Sequence, residues 1–242
     1  MAKIEGRNPV IEALKGNRKL DRILIKNDIS GDKIDWIISQ ARRQGVIVER
    51  VSRNTLDKLA LSHAHQGVIA IGETLTLVSV DDILKYAYQR DEQPFIIILD
   101  QIQDPHNFGS IIRTSYAAGA HGIIFQEKRA VGVTPVVAKS SAGAIEHIRL
   151  AEVTNINQTI DRLKEEGLWI AGADMQGQQA HYQADLKGKI GLVIGSEGQG
   201  LRRLTREKCD FLIKIPMLGE LGSLNASVAA AIIIYEIVRQ RA

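Results

Sequence analysis

The chain has 242 residues, 45% hydrophobic and 24% charged, with a formal net charge of +3 and a pI near 8.9. This is an ordinary globular composition, long enough for one large domain or two small ones, and its mild basicity permits a nucleic-acid partner without demanding one. The single cysteine, Cys209, excludes an internal disulfide framework and argues against a cysteine-built zinc site; no apolar run reaches membrane-spanning length and the start has no signal-peptide core, so a cytoplasmic location is expected.

Helix and strand signals alternate along the first part. Residues 9–14 are helix-like, 22–25 strand-like, 33–43 helix-like and 46–49 strand-like. Ser52 is placed to cap a helix running to Leu61, and 67–72 is a strand. Residues 1–75 therefore form a small α/β domain, and the poorly patterned stretch 76–93, with one short helix signal at 79–88, is a linker. From Pro94 the pattern restarts. Strands are expected at 95–99, 122–125, 148–151, 168–171, 190–194 and 211–215, with helices at 109–118, 134–141, 156–166 and 223–240. Such alternation over 94–242 predicts a parallel sheet with helices on both faces.

Three loops follow apolar strands in this second domain. The first, Asp100-Gln-Ile-Gln-Asp-Pro-His-Asn-Phe-Gly-Ser-Ile-Ile-Arg113, holds Asn107 where a helix begins, so Asn107 is either an N-cap or a site residue. Arg113 lies in an apolar helix, where a guanidinium is costly unless paired, facing a polar cleft, or reaching solvent. The second, Gly195-Ser-Glu-Gly-Gln-Gly200, places Glu197 among glycines, either to stabilise a helix start or to serve a site. Its spacing is neither a dinucleotide fingerprint nor a P-loop. The third, Ile213-Lys-Ile-Pro-Met-Leu-Gly-Glu-Leu-Gly-Ser-Leu-Asn-Ala-Ser227, leads into a long apolar helix that Ser223 or Asn225 could cap. Loops at the C-terminal ends of parallel strands meet at the edge where open α/β sheets bind ligands. Glycine there lets backbone approach a ligand closely.

Together the three loops resemble the SPOUT superfamily, specifically its SpoU or TrmH-like branch of RNA ribose 2′-O-methyltransferases. Asn107, Gly109 and Arg113 match the first motif of that branch, and Gly195, Glu197 and Gly200 the second. Ile215, Pro216, Met217, Ser223, Leu224, Asn225 and Ser227 match the third. The front part, with Glu5-Gly-Arg-Asn-Pro and His65-Gln-Gly-Val, is similar to the L30-like substrate-binding domain of the branch.

The resemblance implies an α/β fold: a trefoil-knotted parallel-sheet methyltransferase domain behind a small L30-like domain. It implies S-adenosylmethionine held by Gly195, Ile215 and Leu224, with Met217 and Leu218 beside them, and it implies a homodimer. Arg113 would be the key polar group, accepting the ribose proton or stabilising the developing alkoxide; a guanidinium suits the second role better. Asn107, Glu197, Ser223 and Asn225 would orient Arg113, the nucleotide and the cofactor. The substrate implied is a guanosine ribose in the peptidyl-tRNA loop of 23S rRNA. A tRNA ribose methyltransferase and a non-catalytic RNA-binding protein remain the alternatives. No metal is expected: the six histidines are scattered, and His63-x-His65 is the only close pair. Basic candidates for RNA contact are Arg42, Arg43, Arg50, Arg53, Lys128, Arg129, Arg202, Arg203 and Arg206.

Overall fold

The computed structural model describes residues 1–16, 18–60, 65–220 and 222–242. Leu61 and His63 lie outside the described residues. The first elements are β1 (Ala2–Glu5), α1 (Arg7–Lys15), β2 (Leu20–Lys26), α2 (Asp32–Arg43), β3 (Ile47–Val51), α3 (Arg53–Leu59) and β4 (Val68–Gly72). Then come α4 (Val80–Gln89), β5 (Phe95–Asp100), α5 (Pro105–Ala117), β6 (Gly122–Gln126), α6 (Pro135–Ser140), β7 (Arg149–Val153), α7 (Ile156–Glu165) and β8 (Trp169–Ala173). The chain closes with β9 (Gln179–Ala180), β10 (Ile190–Gly195), α8 (Arg203–Lys208), β11 (Phe211–Lys214) and α9 (Ala226–Arg241).

The chain divides into two compact units. One comprises Met1–Thr76 with Val133–His147, the other Leu77–Gly132 with Ile148–Ala242. In the first unit the sheet order is β1-β4-β2-β3, mixed in direction, with only β2 and β3 parallel. Side chains alternate along β2: Ile23 and Ile25 pack with Val10, Leu14, Ile34 and Ile37 of α1 and α2, whereas Leu24 turns to Leu56 of α3. Ser52 caps α3, its Oγ accepting from the Thr55 N–H at 3.2 Å. Residues 133–147 belong to this unit although the flanking strands do not. They are tied in by Arg18–Glu146 at 2.7 Å and His147–Glu12 at 3.0 Å. No local sequence signal marks that excursion.

In the second unit seven strands run parallel in the order β7-β6-β5-β10-β8-β11-β9. β5 and β10 are buried at every residue, as central strands covered on both faces must be. Ile96 and Ile98 face a core with Ile83 and Leu84 of α4 and Ile156 and Ile160 of α7. On the other side α5 packs against α9. Residues 76–93, expected as a linker, carry α4, whose Val80, Ile83 and Leu84 are core residues of this unit. The helix expected at 79–88 is present, started by a Ser79–Asp82 capping box; what local pattern does not show is that its apolar face joins this core and so makes the stretch part of the domain. Among the described residues no helix is long and apolar enough to cross a membrane.

Candidate active site

Strands β5, β10, β8 and β11 are successive neighbours, so the loops that leave their C-terminal ends share one edge. Gly195 ends β10 opposite Asp100 of β5. A Cβ on Gly195 would stand 2.2 Å from the carbonyl carbon of Gly200, because the loop doubles back there. The Gly200 N–H donates to the Ser196 carbonyl at 2.9 Å, closing that turn. No side chain fits at 195; the loop requires glycine for space, not for flexibility.

Arg202 fixes the far end of this loop. Its backbone N–H and Nε donate to the two carboxylate oxygens of Asp100 at 3.0 and 2.7 Å, and Nη2 donates to Gln126 Oε1 at 3.1 Å. Asp100 is wholly buried, so the pair joins the ends of β5 and β6 to the loop after β10. Losing one partner would leave a buried charge uncompensated. Arg202, a basic candidate for RNA contact, is thus spent on the scaffold. Arg50 is spent likewise, donating to the carbonyls of Lys26, Asn27 and Ile29.

The helix after the first loop starts earlier than its sequence pattern suggests. Asp104 caps α5, accepting from the His106 N–H at 3.0 Å, and Pro105 opens the helix. Asn107 is therefore not the cap. It is the third helical residue, 6% exposed, and its Nδ2 donates to Glu197 Oε1. Glu197 likewise does not stabilise a helix start; α8 begins only at Arg203. The Asn107–Glu197 bond links the first two loops across 90 residues of chain.

Beside Glu197 lies a cleft of about 440 Å³ whose wall includes Gly195, Ser196, Glu197, Asp174, Arg206 and Ser223. An apolar recess of about 80 Å³, lined by Ile213, Ile215, Met217, Leu224 and Ile233, shares Ala173, Asp174, Met175 and Ala229 with it. The second and third loops thus bring Gly195, Glu197 and Ser223 to the cleft and Ile215, Met217 and Leu224 to the recess, while the first reaches it only through the Asn107–Glu197 bond. Asn225 stands at the start of α9 as its cap: Oδ1 accepts from the Ser227 N–H at 2.9 Å and the Ser227 hydroxyl at 2.7 Å.

Four expected site residues line neither cavity: Asn107, which reaches the cleft through Glu197, Asn225, which caps α9, and Leu218 and Arg113. Leu218 is fully exposed and lines neither cavity. Arg113 is exposed on α5 and also lines neither cavity.

Asp174 and Arg206 were not anticipated as a pair at the cleft. Arg206 Nε donates to Asp174 Oδ2 at 2.9 Å, and the Asp174 side chain is almost fully buried. The available signal was the small-residue strand end Ala-Gly-Ala-Asp174, which a neighbour of β10 would deliver to the same edge. Behind the cleft, burial first and then Asp210 and Asp100 push the Cys209 thiol up to about 12. It stays protonated at neutral pH and is not a nucleophile. Among the described residues no group of three or more His, Cys, Asp or Glu is arranged to hold a metal ion.

The profile of the SpoU rRNA methylase family matches residues 94–235. The chain belongs to that family. The profile for RNA 2′-O ribose methyltransferase substrate binding matches residues 3–77 of this SpoU methylase. A relative in Bacillus subtilis strain 168, named as a candidate TrmH family tRNA/rRNA methyltransferase, YacO, is 46% identical over 236 residues, 98% of this chain and 94% of the relative. The SpoU methyltransferase AviRb of Streptomyces viridochromogenes, crystallised with S-adenosylmethionine, superposes with a TM-score of 0.85 at 27% identity, covering 99% of this chain and 89% of AviRb. An rRNA methyltransferase of Sinorhizobium meliloti gives a TM-score of 0.78 at 25% identity over 98% of this chain and 86% of its own.

The SpoU methylase is S-adenosylmethionine-dependent, and the cleft suits that molecule. Its volume falls in the range of roughly 300–1,000 Å³ of small-molecule sites. The Gly195 wall offers main-chain groups at close range, and the recess behind Met217 and Leu224 offers an apolar surface to a flat ring. Asp174 is already paired with Arg206, which leaves Glu197 as the carboxylate of the cleft with no cationic partner among the described residues, a charge that favours a sulfonium cation.

Proposed function

We propose that this RNA methyltransferase modifies a ribose 2′-hydroxyl, that of a guanosine in the peptidyl-tRNA loop of 23S rRNA, as a cytoplasmic homodimer. The observation that carries the reading is the cleft beside Glu197, joined through Asn107 to the helix that bears Arg113. When bound, S-adenosylmethionine supplies an activated methyl group. The residues' task is then to align a weakly nucleophilic hydroxyl and to stabilise the negative charge that grows on its oxygen. Arg113 suits this, since it is exposed on α5 and no acidic partner holds it among the described residues. Glu197 and Asn107 hold the cleft in register with α5, and Ser223 offers a hydroxyl to the bound molecules.

The dimer reading rests on the outer face of the α5–α9 pair. Tyr116, Val228 and Tyr235 are exposed there. Arg113 lies one helical turn before Tyr116, on the same stripe. A second copy seated on this face would cover the stripe that carries Arg113 and Tyr116. Support for RNA comes from the substrate-binding profile over the front unit, and for ribosomal RNA from the SpoU rRNA methylase profile and the rRNA methyltransferase of S. meliloti that matches nearly the whole chain. The name of the B. subtilis relative keeps tRNA as the second reading.

The test is methylation of unmodified 23S rRNA fragments and of tRNA by the purified protein, followed by mapping of the modified ribose. Methyl transfer to one guanosine ribose of the rRNA fragment is expected. Transfer to tRNA alone overturns the substrate assignment, and transfer to a base overturns the 2′-hydroxyl assignment. Light scattering at micromolar concentration gives a mass near 26.7 kDa if the dimer reading is wrong.

A further inference from the structure

The apolar recess and the cleft meet along one seam. They share Ala173, Asp174, Met175 and Ala229, and of these described residues only Asp174 has a polar side chain. Asp174 directly follows β8, and its N–H still donates to the Ile213 carbonyl of β11 at 2.9 Å. The side chain is 5% exposed, yet it stands in the wall of both cavities. The little surface it keeps faces the seam.

The carboxylate is fixed from the protein side. Oδ1 accepts from the Gln176 N–H at 2.8 Å, and Oδ2 accepts from Arg206 Nε at 2.9 Å. The Asp174 carbonyl accepts from the Gly177 N–H at 2.9 Å. A Cβ on Gly177 would stand 2.7 Å from the carbonyl carbon of Ile213, so the turn after Asp174 lies tight against β11. Arg206 is itself held, its Nη1 donating to Gln176 Oε1 at 3.1 Å. The guanidinium offsets the cost of burying the carboxylate but does not exhaust it as an acceptor. A carboxylate offers about four acceptor positions and no donor, and the protein fills two of them. What remains is a rigid pair of acceptors on one group, and its complement is a pair of hydroxyl donors on adjacent carbons.

S-adenosylmethionine carries such a diol on the ribose that joins its flat ring to its sulfonium. With the ring against the recess and the sulfonium beside Glu197, the ribose falls on the seam. We infer that Asp174 recognises the cofactor ribose, accepting hydrogen bonds from its 2′- and 3′-hydroxyls, and thereby makes the site specific for an adenosyl group with both hydroxyls free. This rests on the reading of the cleft as the cofactor site and names the side chain that selects the sugar there.

The test is calorimetry on the full chain with S-adenosylhomocysteine and its 2′,3′-dideoxy form, for the parent and for Asp174→Asn and Asp174→Ser. Both substitutions keep an oxygen that can accept the Gln176 N–H and so preserve the turn. Thermal unfolding checks that each variant is folded. The parent should bind the dideoxy ligand more weakly by about tenfold or more, the scale of one charge-assisted hydrogen bond. The variants should lose about as much toward S-adenosylhomocysteine, yet bind the dideoxy ligand as well as the parent does, so that discrimination between the two ligands disappears. Equal losses toward both ligands, with discrimination kept, would make Asp174 a residue that only shapes the loop and would overturn the inference. A parent that does not discriminate between the two ligands overturns it as well, whether or not the variants fold. A parent that binds neither ligand overturns the cleft as the cofactor site, and the ribose contact with it.

Discussion

In the second unit the cleft wall is largely main chain and small side chains: Gly195, Gly200, Ser196, Ala173 and Ser223. In the first unit the wall of a cavity carries the long cationic side chains of Arg7, Lys26, Lys33 and Arg53 beside Asn8, Ile29, His65 and Gln66. The difference follows from what each must hold. A small molecule is gripped best by rigid groups brought close, which demands glycine and fixed loops such as the one clamped by Asp100 and Arg202. A polymer phosphate needs charge at a distance and tolerates flexible arms. The chain separates these demands between two units, so substitutions should separate them too.

The largest separation is expected at Arg113. Arg113→Ala should lower single-turnover methyl transfer by roughly a thousandfold, about 4 kcal/mol of transition-state stabilisation, with fold, cofactor affinity and RNA affinity nearly intact. Arg113→Lys should fail almost as badly, because an ammonium lacks the planar fork. Near-normal rates in the alanine variant would end the assignment.

Gly195→Ala should act on the cleft alone. The added methyl meets backbone, which cannot swing aside, so overpacking should cost roughly 1–3 kcal/mol of stability. Cofactor affinity, measured by calorimetry, should fall at least tenfold while RNA affinity holds. Equal losses in both would mean that the two regions are coupled.

A smaller effect is expected from acid. Burial, with Arg241 adding to it, holds the His121 imidazole below its ordinary range despite Glu92. Its Nδ1 also accepts the Phe95 N–H at 2.9 Å, a bond that only the neutral ring can make. The unfolded chain therefore binds a proton that the folded chain refuses, and the second unit should lose stability as pH falls through about 6.5. In the first unit burial raises Glu146 above the usual carboxylate range, so its contribution runs the other way, gaining as pH falls toward that raised value. Unfolding followed by hydrogen exchange at β5 and at α1 between pH 7.5 and 5 should show the second unit weakening first. His121→Gln should flatten that dependence.

Local sequence carried much of the fold. β5 and β10 are runs of buried aliphatics, α3 follows Ser52, and the glycine loops stand where strands end, so element type and order were legible from periodicity and turn chemistry. The three glycine-rich loops were legible as candidates because they follow apolar strands, whereas the roles of Gly195, Ile215 and Leu224 toward the cofactor came only from the family resemblance. Short elements escaped. β1 takes its conformation from pairing with β4, and β9, two residues long, from pairing with β11.

Only the tertiary structure decided which distant residues meet. Asp100 and Arg202 are 102 residues apart, Asn107 and Glu197 are 90 apart, and Arg18 and Glu146 are 128 apart. None of these carries a local signature, because propensity and periodicity register neighbours along the chain, whereas a pair is made by the crossing of strands. The same holds for Arg7, Lys26, Lys33 and Arg53. In sequence only Arg53 was singled out among them; the fold sets all four around one cavity, Arg7, Lys33 and Arg53 from the starts of α1, α2 and α3 and Lys26 from the end of β2.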